Sequence, residues 1–195
     1  SHQKGENDRA VNLISKAIDL KPDYAEAHCH LGILLRDLGR LDDAIAYYHN
    51  ATQIRPDYTE AHANLGTAQK ELGRLEEAVA SYHKALEFKP NYAEVHSNLG
   101  TVLQELGKLD EAVASYHKAI DIEPDYAEAH SNLGNTLKGL GKRGAALESY
   151  HEAIDIEPAY AEAHSNLGTV LQELGKQGEA MASYHKAIDI EPAYA

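Results

Sequence analysis

The chain has 195 residues, 43% hydrophobic and 25% charged, with a formal net charge of −13; this apolar share excludes disorder by composition. The acidic balance argues against nucleic acid and anionic membranes as partners, since both are gripped through Lys/Arg-rich surface, and it favours approach by a neutral or basic protein. The single Cys29 excludes an intramolecular disulfide and suits a reducing, cytoplasmic setting, and no apolar run nears the roughly 18 residues that span a bilayer.

Along the chain, Ser1-His2 reads as a protease-cleavage scar, and residues 3–24 read as the second helix of a truncated repeat, with the helix over Asn7–Leu20. From there a strict period takes over. Pro22, Pro56, Pro90, Pro124, Pro158 and Pro192 stand 34 residues apart and are all the prolines present. Tyr24, Tyr58, Tyr92, Tyr126, Tyr160 and Tyr194 keep the same step, as do Leu31, Leu65, Leu99, Leu133 and Leu167. A register of this kind marks a stack of repeats, each one supersecondary unit. The units are 25–58, 59–92, 93–126, 127–160 and 161–194.

Each period holds two helices. In the first, Asp23 followed by Glu26 predicts a capping box, with Pro22 stopping the helix before it. Leu31, Leu35 and Leu38 recur at helical spacing, and Gly39 ends that helix. The second begins near Leu41, with Asp42 and Asp43 at its positive end. Its apolar stripe is Leu41, Ala44, Ile45, Tyr48 and Ala51, and small residues such as Gly32 and Ala44 let the two axes approach closely. Helices of about 13 residues are marginal alone in water, so stacking on the next hairpin must cover the rest of each stripe. Eleven helices are predicted. In the fifth unit Ala159 stands where earlier copies have the capping Asp, which predicts a lost cap worth about 1 kcal/mol.

Leu31-Gly32, Ala44, Tyr48, Ala51 and Pro56, repeated as Leu99-Gly100, Ala112, Tyr116, Ala119 and Pro124, resemble the signature of the tetratricopeptide repeat family. The resemblance covers residues 7–195; its one departure is His28, His62, His96, His130 and His164 in place of an early aromatic. It implies an all-α, right-handed superhelical solenoid of antiparallel helix hairpins, whose concave groove is lined by the first helix of each hairpin. It also implies a protein-interaction scaffold that is not an enzyme and needs no cofactor.

Asn64, Asn98, Asn132 and Asn166 sit mid-helix just before the core Leu, with His30 at the matching place in the first full unit. Each Asn carries two donors and an acceptor, so the row can grip the backbone of an extended peptide. The A-E-A-H-S-N-L-G wording is similar to the asparagine-ladder arm of the O-linked N-acetylglucosamine transferases, where such a module selects substrates for a larger enzyme. The family's other mode clamps a C-terminal carboxylate with Lys and Arg. Here Glu26, Glu60, Glu94, Cys29, Ala63 and Ser97 hold those places, which argues against it.

Other motifs read as structural. Most histidines recur one per helix and cannot converge on a metal at ~2 Å, so no metal site is expected. Gly139-Leu140-Gly141-Lys142-Arg143-Gly144 matches G-x-G-x-x-G, but falls on an inter-helix turn with no preceding strand. Arg143 and Gln177 replace the apolar Leu41, Leu75 and Leu109, and glycines in a helix cost up to ~1 kcal/mol each. The fourth hairpin should therefore be the weakest. The last apolar face, with Tyr184, Ala187 and Ile188, is expected to face solvent. A second reading follows: a structural rod whose copies associate end to end. Near-identical copies also suit a consensus-designed repeat protein without a dedicated ligand.

Overall fold

The computed structural model describes residues 2–192, with side chains from residue 9 onward. Ser1 and Tyr194 lie outside the described residues. Among those described, all regular structure is helical: α1 (His2–Leu20), α2 (Ala25–Asp37), α3 (Leu41–Ile54), α4 (Thr59–Glu71), α5 (Leu75–Phe88), α6 (Ala93–Glu105), α7 (Leu109–Ile122), α8 (Ala127–Gly139), α9 (Arg143–Ile156), α10 (Ala161–Glu173) and α11 (Gln177–Ile190). These are the expected pairs. α1 starts at His2, earlier than Asn7, because only Gly5 between them disfavours helix.

The chain divides after Asn98 into two compact units. In the first, α1 packs on α2, α2 on α3, α3 on α4 and α4 on α5. Leu31, Leu35, Ile45, Tyr48 and Leu65 form its buried centre, and Val11, Ile14 and Ile18 of α1 close against it. In the second, α7, α8, α9, α10 and α11 pack in the same successive way. Within each unit these helices are covered by their neighbours in sequence, which is how stripes too weak to fold alone are stabilised.

The turn inside each hairpin needs a left-handed residue. Gly39 has φ +73°, and the Gly39 and Arg40 amides donate to the carbonyls of Arg36 (2.8 Å) and Leu35 (2.9 Å). This is a Schellman ending that satisfies carbonyls left open by the last turn of α2.

A second glycine sets how closely the two helices pack. A Cβ at Gly32 would lie 2.6 Å from the ring of Tyr48, and one at Gly100 would lie 2.8 Å from the ring of Tyr116. Gly66, Gly134 and Gly168 face Tyr82, Tyr150 and Tyr184 in the same way. The ring thus occupies the space a side chain would fill, and Tyr48, Tyr82, Tyr116 and Tyr150 are wholly buried. The hydroxyls of Tyr82, Tyr116 and Tyr150 reach back to the first helix. Tyr116 donates to Thr101 (3.2 Å) and Tyr150 to Asn135 (2.8 Å). In the first hairpin Ile33 stands at the corresponding place, and among the described residues the Tyr48 hydroxyl has no partner.

The starts of the first helices correct the sequence reading. Tyr24, Tyr58, Tyr126 and Tyr160 occupy the N-cap, and none of these helices has a side-chain cap. Asp23 stands one residue too early to cap, and Glu26 bonds to Arg55 of the next inter-hairpin turn instead of reaching back. Ala159 therefore removes no cap: Tyr160 (φ −83°, ψ 87°) repeats the geometry of Tyr126 (φ −86°, ψ 82°), which follows Asp125. The histidines fix these turns. A ring Nε2–H of His28, His62, His96, His130 and His164 donates to the carbonyl of Pro22, Pro56, Pro90, Pro124 and Pro158, at 2.8–3.1 Å.

In the fourth hairpin Arg143 reaches Glu173 at 2.6 Å, an exposed pair worth at most about 1 kcal/mol. α9 lacks the acidic first turn of α3, α5 and α7, and a Cβ at Gly144 would meet nothing within 4 Å. Its packing does not compensate for that glycine.

Gly100→Ala is expected to lower stability by about 1–3 kcal/mol, because the methyl overlaps the Tyr116 ring; urea unfolding followed by circular dichroism measures it. Burial pushes the Tyr82 and Tyr116 hydroxyls from 10.0 up to about 12. The folded state thus favours the neutral phenol, and the stabilisation is complete below pH 10 and lost as pH rises through 12. Stability measured across that window should fall, and Tyr82→Phe with Tyr116→Phe should lessen the fall.

Candidate peptide-binding face

The buried Leu31, Leu65 and Leu99 point into their hairpins, so the residue before each is turned about 100° away along the helix. His30, Asn64 and Asn98 hold that place on α2, α4 and α6, and Asn132 and Asn166 hold it on α8 and α10 of the second unit. The four asparagines are half-buried and His30 is exposed.

Asn64 and Asn98 share a polar cavity of about 230 Å³ whose wall includes Arg36, Thr67, Tyr92 and Glu94. Their amides are little engaged within the chain. The Asn64 Nδ2 lies 4.0 Å from the Cys29 sulfur. In the second unit the Asn166 Nδ2 lies 3.5 Å from the Glu162 carboxylate, at the limit of hydrogen bonding. His30 does not join the Asn64–Asn98 cavity. It borders a separate apolar one beside Leu13, Ile14 and Tyr24.

Charge around the first cavity is mixed. Arg36 sits 3.6 Å from Asp37, a loose pair. The Arg55 guanidinium, by its hydrogen bond, holds the Glu26 carboxyl below its ordinary value. Among the described residues Glu60 and Glu94 form no such ion pair. Burial raises the Tyr92 hydroxyl and likewise the Cys29 thiol, disfavouring the thiolate. The cavity thus offers amide donors, a guanidinium, and amide, hydroxyl and carboxylate acceptors, a set that matches the alternating C=O and N–H of an extended backbone.

The sequence does not mark out Arg36 or Thr67, and Tyr92 stands out there only as a member of the tyrosine period. The place of Arg36 holds Lys70, Gln104, Lys138 and Gln172 in the other copies, polar variation that reads as an ordinary solvent face. Gly139 ends α8 and Gly141 (φ +73°) makes the turn into α9, so the glycine-rich hexapeptide is a helix–helix connection. Among the described residues no three His, Cys, Asp or Glu side chains gather in a way that could hold a metal ion.

A family model described as TPR repeat matches residues 2–36, 32–73, 70–107, 102–141 and 139–175, and one described as Tetratricopeptide repeat matches residues 161–194. No curated protein sequence matches the chain. Solved structures are similar over nearly its whole length. The MamA protein is 25% identical with a TM-score of 0.78, covering 86% of this chain and 92% of its own. YrrB, described as a TPR protein with an unusual peptide-binding site, is 25% identical with a TM-score of 0.75, covering 92% of each. A thermophilic TPR protein of Thermus thermophilus is 26% identical with a TM-score of 0.67, covering 86% and 92%. With the family models spanning the helix pairs from α1 to α11, the chain belongs to the tetratricopeptide repeat family and has its all-α repeat fold.

Proposed function

We propose that this scaffold binds a polypeptide in extended conformation along its first helices, the asparagine amides holding the peptide backbone. The observation that carries this is the cavity lined by both Asn64 and Asn98, whose amide groups are scarcely used within the chain. Similarity to YrrB, whose description names a peptide-binding site, supports the same reading. Asn132 and Asn166 hold the same register position on α8 and α10 of the second unit, and His30 supplies an exposed ring at the first repeat. The net charge of −13 favours a neutral or basic peptide. The likeness of the repeated wording to the asparagine-ladder arm of the O-linked N-acetylglucosamine transferases extends the proposal to a role as the substrate-selecting part of a larger enzyme.

Self-association is the second reading, favoured by the exposed Leu13 and Leu20 on α1 and Met181 on α11. Replacing Asn64, Asn98, Asn132 and Asn166 together by Ala separates the two. Against an arrayed library of twelve-residue peptides, the variant is expected to bind at least about tenfold more weakly, or 1.4 kcal/mol, with helicity unchanged by circular dichroism. Unchanged affinity, with sedimentation that rises with concentration, would favour the self-association reading.

A further inference from the structure

The fourth hairpin departs from the others at three places that meet on one cavity. At the position of Ala145 the other hairpins have Asp43, Glu77, Glu111 and Glu179; at Glu148 they have Ala46, Ala80, Ala114 and Ala182; at Glu152 they have Asn50, Lys84, Lys118 and Lys186. The acidic charge missing from the start of α9 thus reappears one and two turns later, and a basic or neutral residue has become acidic. All three changed residues line a cavity of about 410 Å³ formed by α7, α8 and α9, wholly within the second unit.

The cavity has two chemically different parts. Ile120, Leu133 and Leu137 line it with apolar surface, and His117, Glu148 and Glu152 stand exposed at its rim. Among the described residues neither glutamate has an ion-pair partner. Two carboxylates at i and i+4 repel each other and work against their own helix, so this hairpin, already weakened by Gly144, holds an unfavourable pair. A cation from outside would relieve the repulsion. An apolar wall beneath an acidic rim fits a side chain with an aliphatic stem and a charged head.

We propose that this cavity is a second partner-binding site, taking a lysine or arginine side chain from a basic segment of another protein. The stem lies on Ile120, Leu133 and Leu137, and the cationic head sits between Glu148 and Glu152. The site shares no residue with the asparagine register, so it stands or falls independently of the peptide-grip proposal.

The test uses amide-resolved NMR titration of the full chain with the acetylated, amidated peptide Ala-Ile-Lys-Ile-Ala, the same peptide with Gln for Lys, and n-butylamine. The lysine peptide is expected to bind at least tenfold more tightly than the glutamine peptide and than n-butylamine, with shifts centred on Ile120, Glu148 and Glu152. Glu148→Ala with Glu152→Lys restores the residues of the third hairpin at exposed positions, and should abolish that discrimination. Glu76→Ala with Glu77→Lys makes the same charge change on α5 and should preserve it. Equal binding of the lysine and glutamine peptides would overturn the proposal. So would discrimination that survives in the α9 variant or is lost equally in the α5 variant. Binding of n-butylamine as tight as the lysine peptide would mark a site for small amines and overturn the partner assignment.

Discussion

The structure depends on one contact made five times: a glycine in the first helix of each hairpin faces a tyrosine ring of the second. The ring lies where a Cβ would lie, 2.6–2.8 Å away at closest approach, so the two helices approach as closely as an aromatic ring against bare backbone permits. That fixes the hairpin as a unit. Burying a ring of this size is the largest apolar gain a helix so rich in alanine can make. The hydroxyl then needs a partner at low dielectric, and Thr101 or Asn135 on the first helix supplies one. Where Ile33 takes that place, the Tyr48 hydroxyl goes without one among the described residues.

Much of the fold could be read from the sequence because its determinants are local and repeated. Pro at the end of a unit, Gly at the turn and apolar residues three and four apart each have a direct physical meaning, and the structure starts α3, α5, α7, α9 and α11 where that pattern places them. The capping assignment failed for an equally local reason. Asp-Tyr-Ala-Glu fits a capping box in composition, but the N-cap that follows the proline is the tyrosine and not the aspartate. The carbonyl of that proline is then held from inside the helix by a histidine six residues on. A donor acting over six residues has no signature in a rule built on three, so the sequence marks these histidines as structural without showing the turn that each one holds.

The candidate sites were legible to different degrees. The asparagine register follows from the period alone, which sets Asn64, Asn98, Asn132 and Asn166 one residue before the buried leucines Leu65, Leu99, Leu133 and Leu167. The companions of Asn64 and Asn98 in their cavity come from three helices and from a turn, and only coordinates assemble Arg36, Thr67 and Tyr92 there. The α9 cavity illustrates the converse. The glycines, tyrosines and leucines on which the copies agree serve packing that every hairpin needs; the changes at Ala145, Glu148 and Glu152, which meet on one cavity, are not part of that shared packing. Glu148 and Glu152 are of this second kind, and a like-charge pair on a glycine-weakened helix is a stability cost that packing does not explain.

If glycine is required because the ring fills its place, the two residues must be energetically coupled. A double-mutant cycle on Gly134→Ala and Tyr150→Leu, by urea unfolding of both singles and the double, measures this directly. The account predicts a coupling of at least about 1 kcal/mol, with alanine tolerated at position 134 once the ring is gone. Additive effects would contradict it, and with it the claim that the glycine–tyrosine contact sets the hairpin.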